Sequence, residues 1–408
     1  MNILVLNCGS SSLKYRLIAM PGEVELAGGE AQRVGPPTAE PSRIVHRVRG
    51  QASQTHFVRM ADHAAAFSGI MNLLSEEAAF KPEAIGHRVV HGGDRFRRHT
   101  IVDASMIGDL ETLGDLAPLH NPPAIQLIKT CHSHYPDLPQ VAVFDTVFHS
   151  TIPEKAYTYA LPRQLRTDFA LRKYGFHGIS HQYVATEAAR MLSIPVDRLN
   201  AVSCHLGSGG ASLCAIQKGR SIDNTMGYSP LQGLIMSTRC GNLDPAIALQ
   251  LLAINIGDTT AVEKALNEQS GVLGLSGKSA DIRDALNEQA GLEQGCTHIG
   301  LTAQVYLWRL RKYLGAYLAT TGRANAVIFT DTIGETVPLV RGAMCANMEF
   351  FGLRLDAKKN EQPGTLPADI AQSASPVRIL VIPTNEELSI ARTTHQLLHA
   401  LQPVEGAV

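Results

Sequence analysis

The sequence predicts an α/β protein built as two related halves, and three observations carry that reading. The chain has 408 residues. At about 150 residues per domain, that length gives two to three domains, with two favoured. A short apolar strand, a turn of small residues and a second strand stand near the start, and the same unit returns about two hundred residues later. Segments with helical spacing alternate with strands through the remainder.

The first unit is Asn2-Ile3-Leu4-Val5-Leu6, then Asn7-Cys8-Gly9-Ser10-Ser11-Ser12, then Leu13-Lys14-Tyr15-Arg16-Leu17. It reads as a hairpin whose loop offers small side chains, hydroxyls and free backbone N–H groups. Such a loop suits a phosphate, because no bulky side chain keeps oxygens from the donors. The second unit is Ala201 to Leu206, Gly207-Ser208-Gly209-Gly210, and Ala211 to Ile216. The plain alternative is a pair of ordinary hairpins. Asn121-Pro122-Pro123 opens a helix carrying Ala124, Ile125, Leu127, Ile128 and Cys131. Ser180 is placed to cap a second helix through Leu192, and Asp244-Pro245 starts a third. Thr384-Asn385-Glu386-Glu387 matches a capping box before a last helix. The polar stretches 35–42 and 356–375 read as exposed loops, and Arg95-Phe96-Arg97-Arg98-His99 as a solvated basic loop.

Composition excludes several classes. Lys plus Arg is 36 against 37 Asp plus Glu, a formal net charge of -1. So balanced a chain is no general binder of nucleic acid or anionic membrane. No run approaches the length of a membrane-spanning helix, and the N-terminus does not read as a signal peptide. Seven cysteines without a C-x-x-C pair fit a reducing compartment, so a cytoplasmic protein is expected.

Some motifs mislead. Gly271 to Ser279 imitates a Walker loop, but its first glycine lies one residue too far from Gly277-Lys278-Ser279. Gly207-Ser208-Gly209-Gly210 lacks the third glycine of a dinucleotide fingerprint, whose place Ser212 takes. His87/His91 and His177/His181 are spaced four apart, yet neither pair has the carboxylate or thiol partners of a zinc site.

More telling are charged residues where strands meet turns. Arg88 stands in an apolar strand ending in Gly92-Gly93, Arg239 follows a Gly-rich stretch, and Asp145 ends the strand before Thr146. A lone Arg in an apolar run is commonly a buried ion-pair partner. Two beside candidate phosphate loops point instead to clamping carboxylate and phosphate oxygens.

With these residues the chain resembles the acetate kinases, the acetate/propionate kinase group of the sugar kinase–Hsp70–actin superfamily. The resemblance covers nearly the whole chain. It includes Asn7 to Lys14, the run from Gly86 to Gly93, Ala117 to Pro122, Phe144-Asp145-Thr146, Tyr174 to Gly178, Asp281-Ile282-Arg283 and Ile382 to Glu387. It implies two duplicated ribonuclease H-like domains flanking an active-site cleft. Residues 1–147 plus 385–408 would form the N-terminal domain with the last helix packed back, and 148–384 the nucleotide-binding domain. It also implies a homodimer and phosphoryl transfer between ATP and acetate, with Mg²⁺ or alternatively Mn²⁺.

By the same resemblance, Arg88 and Arg239 hold the carboxylate and the transferring phosphoryl group. His177 stabilises the transition state, with His120 and His205 lining the site, and Asp145 is the essential carboxylate. Asn7 and Glu386 take part in the metal site, and Lys14 sits near the phosphates. The acetate pocket maps onto Val90, Leu119, Phe176 and Pro230. The nucleotide side uses His205, Leu206, Gly207, Ser208 and Gly209, then Asp281, Ile282 and Arg283, then Thr332, Ile333, Gly334, Glu335 and Thr336. The capping box puts Glu387 at the position that bonds back to the cap, leaving Glu386 for the metal. Acetate is ionised at neutral pH, so no general base is needed, and Asp145 reads as a ligand or orienter of metal and water.

The chain departs from the family at the nucleoside end. Ser208 replaces an Asn, and the family's Ala-Gly-Ile-Gly-Glu-Asn reads Asp331-Thr332-Ile333-Gly334-Glu335-Thr336. These changes leave pyrophosphate as an alternative donor to ATP. Propionate is an alternative acceptor, because Val90, Leu119, Phe176 and Pro230 leave room for one more methylene. A weakly active sensor of nucleotide or acyl phosphate is the rival from another class.

Overall fold

The structure, a computed structural model, describes residues 1–9, 11–36, 40–76, 78–117, 121–287 and 300–400. It divides into two compact units, Met1–Val147 with the chain from Asn385 onward, and Phe148–Thr384.

The first unit is built on an eight-stranded sheet. Its strands are β1 (Asn2–Cys8), β2 (Ser12–Ala19), β3 (Val24–Gln32), β4 (Arg43–Val48), β5 (Gln54–Phe57), β6 (Ala84–Val89), β7 (Thr100–Ile101) and β8 (Gln140–Phe144). The spatial order is β5-β4-β3-β2-β1-β6-β8-β7. β1 to β5 form an antiparallel meander, whereas β1, β6 and β8 run parallel. Ile3, Leu4, Val5 and Leu6 are almost wholly buried, as expected of a strand covered on both faces.

Helices His63–Ser75 and Asn121–His134 supply apolar side chains to one face, where Phe67, Ile70, Ala124 and Leu127 pack with Leu4, Leu6 and Leu13. The helix Glu386–His399 packs against β1, β2, β6 and β8. Gly86 makes that approach close: a Cβ there would meet Thr394 Oγ1 at 2.6 Å and Ile390 Cγ2 at 2.7 Å. Within 95–99, Phe96 is buried and stacks on Phe144, and the His99 imidazole accepts from the Phe144 N–H. The three arginines are exposed, so only part of that basic loop is solvated as expected.

The second unit repeats the arrangement with six strands: β9 (Ala201–Leu206), β10 (Ala211–Gln217), β11 (Arg220–Asn224), β12 (Ala326–Thr330), β13 (Ala368–Asp369) and β14 (Arg378–Val381). Their order is β11-β10-β9-β12-β14-β13. β9 pairs antiparallel with β10 and parallel with β12, as β1 does with β2 and β6. The strand–turn–strand repeat is thus one duplicated α/β fold.

Three expectations need correction. Ser180 does not cap its helix: Gly178–Met191 follows His177 in the left-handed region, and Ser180 is buried inside the first turn. The last helix is capped by Asn385, whose side chain accepts from Leu388 N–H, not by Thr384. The 356–375 stretch is not simply an exposed loop. It contains the helix Ala357–Glu361 and β13, with Asn360, Ile370 and Ala371 buried, because Asn360 answers a buried arginine elsewhere in the fold.

Candidate active site

In the first unit, four expected residues gather where parallel strands end. Leu6 lies beside His87 in the β1–β6 register, so Asn7 and Arg88 follow at the same end, and Asp145 is the first residue past β8. Carboxyl ends of parallel strands are where α/β sheets place ligands. Arg88 is the centre. Its Nη2 donates to Asp145 Oδ2 at 2.7 Å and its Nη1 to Asn7 Oδ1 at 3.2 Å. Its Nε lies 3.6 Å from Glu386 Oε2. Burial opposes the charge, but Asp145, Glu386 and Glu387 outweigh it and hold the guanidinium pKa above its ordinary value.

Glu387 does not bond back to a cap. It lies 3.7 Å from Arg16, which is also 3.5 Å from Asn385 Oδ1. The two adjacent acids therefore face different arginines, and Glu386 is the one directed to Arg88. Asn7 and Glu386 are hard oxygen donors. A cation such as Mg²⁺ that keeps several waters needs only one or two of them, so this pair fits a metal arriving with phosphate oxygens. Among the described residues, no group of three or more His, Cys, Asp or Glu side chains forms a metal cage.

Lys14 is exposed on β2 opposite Asn7, and Val90 is half-buried just past β6. Leu119 and His120 lie outside the described residues. A support the sequence did not single out as functional is Asn121, fully buried, which donates to the carbonyls of His91 and Leu113 and accepts from His91 N–H. The buried amide pins the glycine turn after Arg88, although its sequence signal is only that of a helix start.

In the second unit, β9 delivers His205 and Leu206 into the loop Gly207–Gly210, closed by Gly207 N–H to Gly210 O at 3.0 Å. The Ser237 hydroxyl donates to the Ser208 carbonyl. A Cβ on Gly210 would lie 3.3 Å from His177 Nε2 and 3.7 Å from Arg239 Nη1. That glycine lets the loop, His177 and Arg239 meet. Burial lowers the pKa of Arg239.

Four histidines line this end of the sheet. The His177 and His205 rings lie 4.1 Å apart at 31°. His177 Nδ1 is 2.9 Å from Ser212 Oγ, which is 2.8 Å from His181 Nε2. Burial, then the neighbouring His149 and His205, hold His181 far below the usual imidazole range, and burial takes His149 to about 4. Both are therefore neutral supports. His205 is held at both nitrogens, by Ser180 Oγ at 2.8 Å and Asp331 Oδ2 at 3.0 Å.

Thr332, Ile333, Gly334, Glu335 and Thr336 lie in the short helix Asp331–Thr336 at the end of β12. The fully buried Arg341 donates to the carbonyls of Gly334 and Glu335 and to Asn360, fixing that turn. No sequence pattern marked it. Asp281 and Arg283 pair with each other at 2.5 Å around the buried Ile282. Phe176 is buried, and its carbonyl meets His149 Nε2 at 2.9 Å. Pro230 sits in a loop tied down by the Tyr159 hydroxyl, which donates to Gln232 Oε1 at 2.5 Å and accepts from Tyr228 N–H.

Against known proteins, a model of the Acetokinase family matches residues 2–392. The chain is 44% identical over 404 residues to an acetate kinase of Alkaliphilus metalliredigens, covering 98% of this chain and all of that one. It superposes on the Porphyromonas gingivalis acetate kinase with a TM-score of 0.89 at 35% identity, covering 97% of this chain and 99% of the other. A propionate kinase from Francisella tularensis gives 0.87 at 36% identity with the same coverage. This chain belongs to the acetokinase family.

Proposed function

We propose that the protein is an acetate kinase, transferring the terminal phosphoryl group of ATP to acetate and back, a phosphotransferase with a carboxyl acceptor. The observation that carries the reading is the Arg88 fork, held between Asp145, Asn7 and Glu386 at the strand ends. A guanidinium carries five N–H donors, so one anchored by Asn7, Asp145 and Glu386 still has donors for a carboxylate or phosphoryl oxygen.

The acceptor is an anion at neutral pH, so an acetate oxygen attacks phosphorus without a base. Arg88 positions it, and Asp145 orients Arg88. Phosphoryl transfer asks little covalent work of a protein, and charge neutralisation by Arg239 and the His177 ring carries the rate. Asn7 and Glu386 would hold the divalent metal, read as Mg²⁺ with Mn²⁺ able to replace it, which would neutralise charge on the polyphosphate. Lys14 serves the phosphates. The family resemblance assigns the acyl group to Val90, Leu119, Phe176 and Pro230, and the nucleotide to the 205–209, 281–283 and 332–336 segments. Met1–Val147 with the last helix is read as the N-terminal domain that carries Arg88 and Asp145, and Phe148–Thr384 as the nucleotide-binding domain.

Propionate is a second acceptor, a reading supported by the likeness to a propionate kinase. One methylene discriminates by only about 1 to 3 kcal/mol. The protein works as a homodimer in the cytoplasm. Supporting the first, the apolar helix Pro245–Ile254 buries none of its residues, leaving Leu249 and Ile254 exposed, as Trp308 also is. Supporting the second, the six described cysteines are free thiols.

The test is acyl-phosphate formation from acetate, ATP and Mg²⁺, trapped as the hydroxamate, in wild type and Arg239→Ala. Turnover that the variant loses while still binding ADP supports the reading. ADP binding without turnover in wild type overturns it in favour of a sensor.

A further inference from the structure

Asp331 occupies an unusual position. It has φ 64°, in the left-handed region that few side chains adopt without cost. The strain is held by a closed ring of hydrogen bonds. Asp331 N–H donates to Glu335 Oε1 at 2.7 Å, and Thr384 N–H reaches the same oxygen at 3.2 Å. The Thr384 hydroxyl donates to Ser180 Oγ, Ser180 Oγ bonds His205 Nδ1, and His205 Nε2 returns to Asp331 Oδ2. Both Thr332 donors, N–H and O–H, fall on Asp331 Oδ1.

The carboxylate also lies against the loop after β9. A Cβ added at Gly207 would collide with Asp331 Oδ2, so an anionic oxygen rests on the glycine that opens Gly207–Gly210. Burial opposes that charge, but His205 and the Thr332 donors outweigh it and keep the carboxyl well below its usual range. Two consequences follow for a polyphosphate at this loop. It meets a fixed negative charge, and it loses the His205 Nε2–H, which is directed to Asp331.

We propose that Asp331 is a specificity-determining residue that weakens polyphosphate binding at the Gly207–Gly210 loop, by placing a carboxylate on Gly207 and withdrawing His205 as a donor. The proposal rests on the reading of that loop as the phosphate end of the nucleotide site. The groups hydrogen-bonded to the carboxylate are His205 from β9 and Thr332 from its own helix, while Glu335 takes the Asp331 backbone N–H, so His205 is the ionisable group among the carboxylate's hydrogen-bond partners.

The experiment measures ADP affinity by calorimetry for wild type, Asp331→Asn and Asp331→Gly, at about 0.05 M and about 0.5 M salt. Asn tolerates the left-handed region and keeps an acceptor for His205 without the charge. Gly suits the backbone and frees the imidazole. The proposal expects ADP to bind about fivefold tighter to Asp331→Asn at low salt, with the gap closing at high salt. Asp331→Gly should bind at least as tightly. Unchanged or weaker binding in both variants overturns it, as does a gap that ignores salt, which would mark a purely structural change. Should wild type form no acyl phosphate with ATP, the nucleotide reading falls and this inference with it. Unchanged affinity in an enzyme that turns over ATP removes the inference alone.

Discussion

Arg88 Nη2 lies 2.7 Å from Asp145 Oδ2, and the carboxylate that receives it is almost wholly buried. A buried carboxylate beside one arginine is an orienting group. It fixes the guanidinium plane while leaving further N–H donors for an incoming anion. Replacing Asp145 by Asn keeps the shape and removes the charge, so Arg88 is left with weaker anchors in Asn7 and Glu386. We expect kcat to fall by about a hundredfold or more, with a smaller change in ADP affinity, measured by steady-state kinetics and calorimetry.

The adjacent acids at the start of the last helix separate two roles. Glu386 lies 3.6 Å from Arg88, whereas Glu387 lies 3.7 Å from Arg16. Glu386→Gln should raise the Mg²⁺ concentration for half-maximal activity by about tenfold, while Glu387→Gln should change it by less than about twofold. A Mg²⁺ titration of initial rate checks both.

His87 is buried in β6 against Gln140, and burial takes its pKa down to about 4. The unfolded chain has this imidazole near 6.5, so below that pH the unfolded state binds the extra proton. Its contribution is complete above about pH 6.5 and is lost progressively as pH falls toward about 4, to at most about 3 kcal/mol. The thermal midpoint of wild type should therefore drop through that window. His87→Gln should be less stable near neutral pH and show a shallower drop, read by calorimetry across pH.

The duplicated fold was legible because its signals are local. Alternating apolar residues around Gly9 and Gly207 mark a hairpin wherever they occur, and β1–β2 and β9–β10 formed there. Arg88 and Asp145 stood out because a charge inside an apolar strand needs a partner. What stayed hidden depends on distant contacts. Ser180 and Thr384 both look like helix caps, yet their hydroxyls bond each other across 204 positions and serve His205 instead. Arg341 and Asn360 look like surface residues until the fold buries them together. Asp331 read as a change of charge. That it bends into the left-handed region and presses on Gly207 required the ring of partners.

The central claim is that an acetate oxygen attacks phosphorus. It is tested most directly by supplying acetate labelled with ¹⁸O in both carboxyl oxygens, with ATP and Mg²⁺, and trapping the product with hydroxylamine. Hydroxylamine displaces phosphate at the acyl carbon, so the bridging oxygen leaves with phosphorus. The account predicts phosphate carrying one ¹⁸O per hydroxamate formed. Unlabelled phosphate alongside ADP would mean that water, not acetate, had taken the phosphoryl group, and would contradict it.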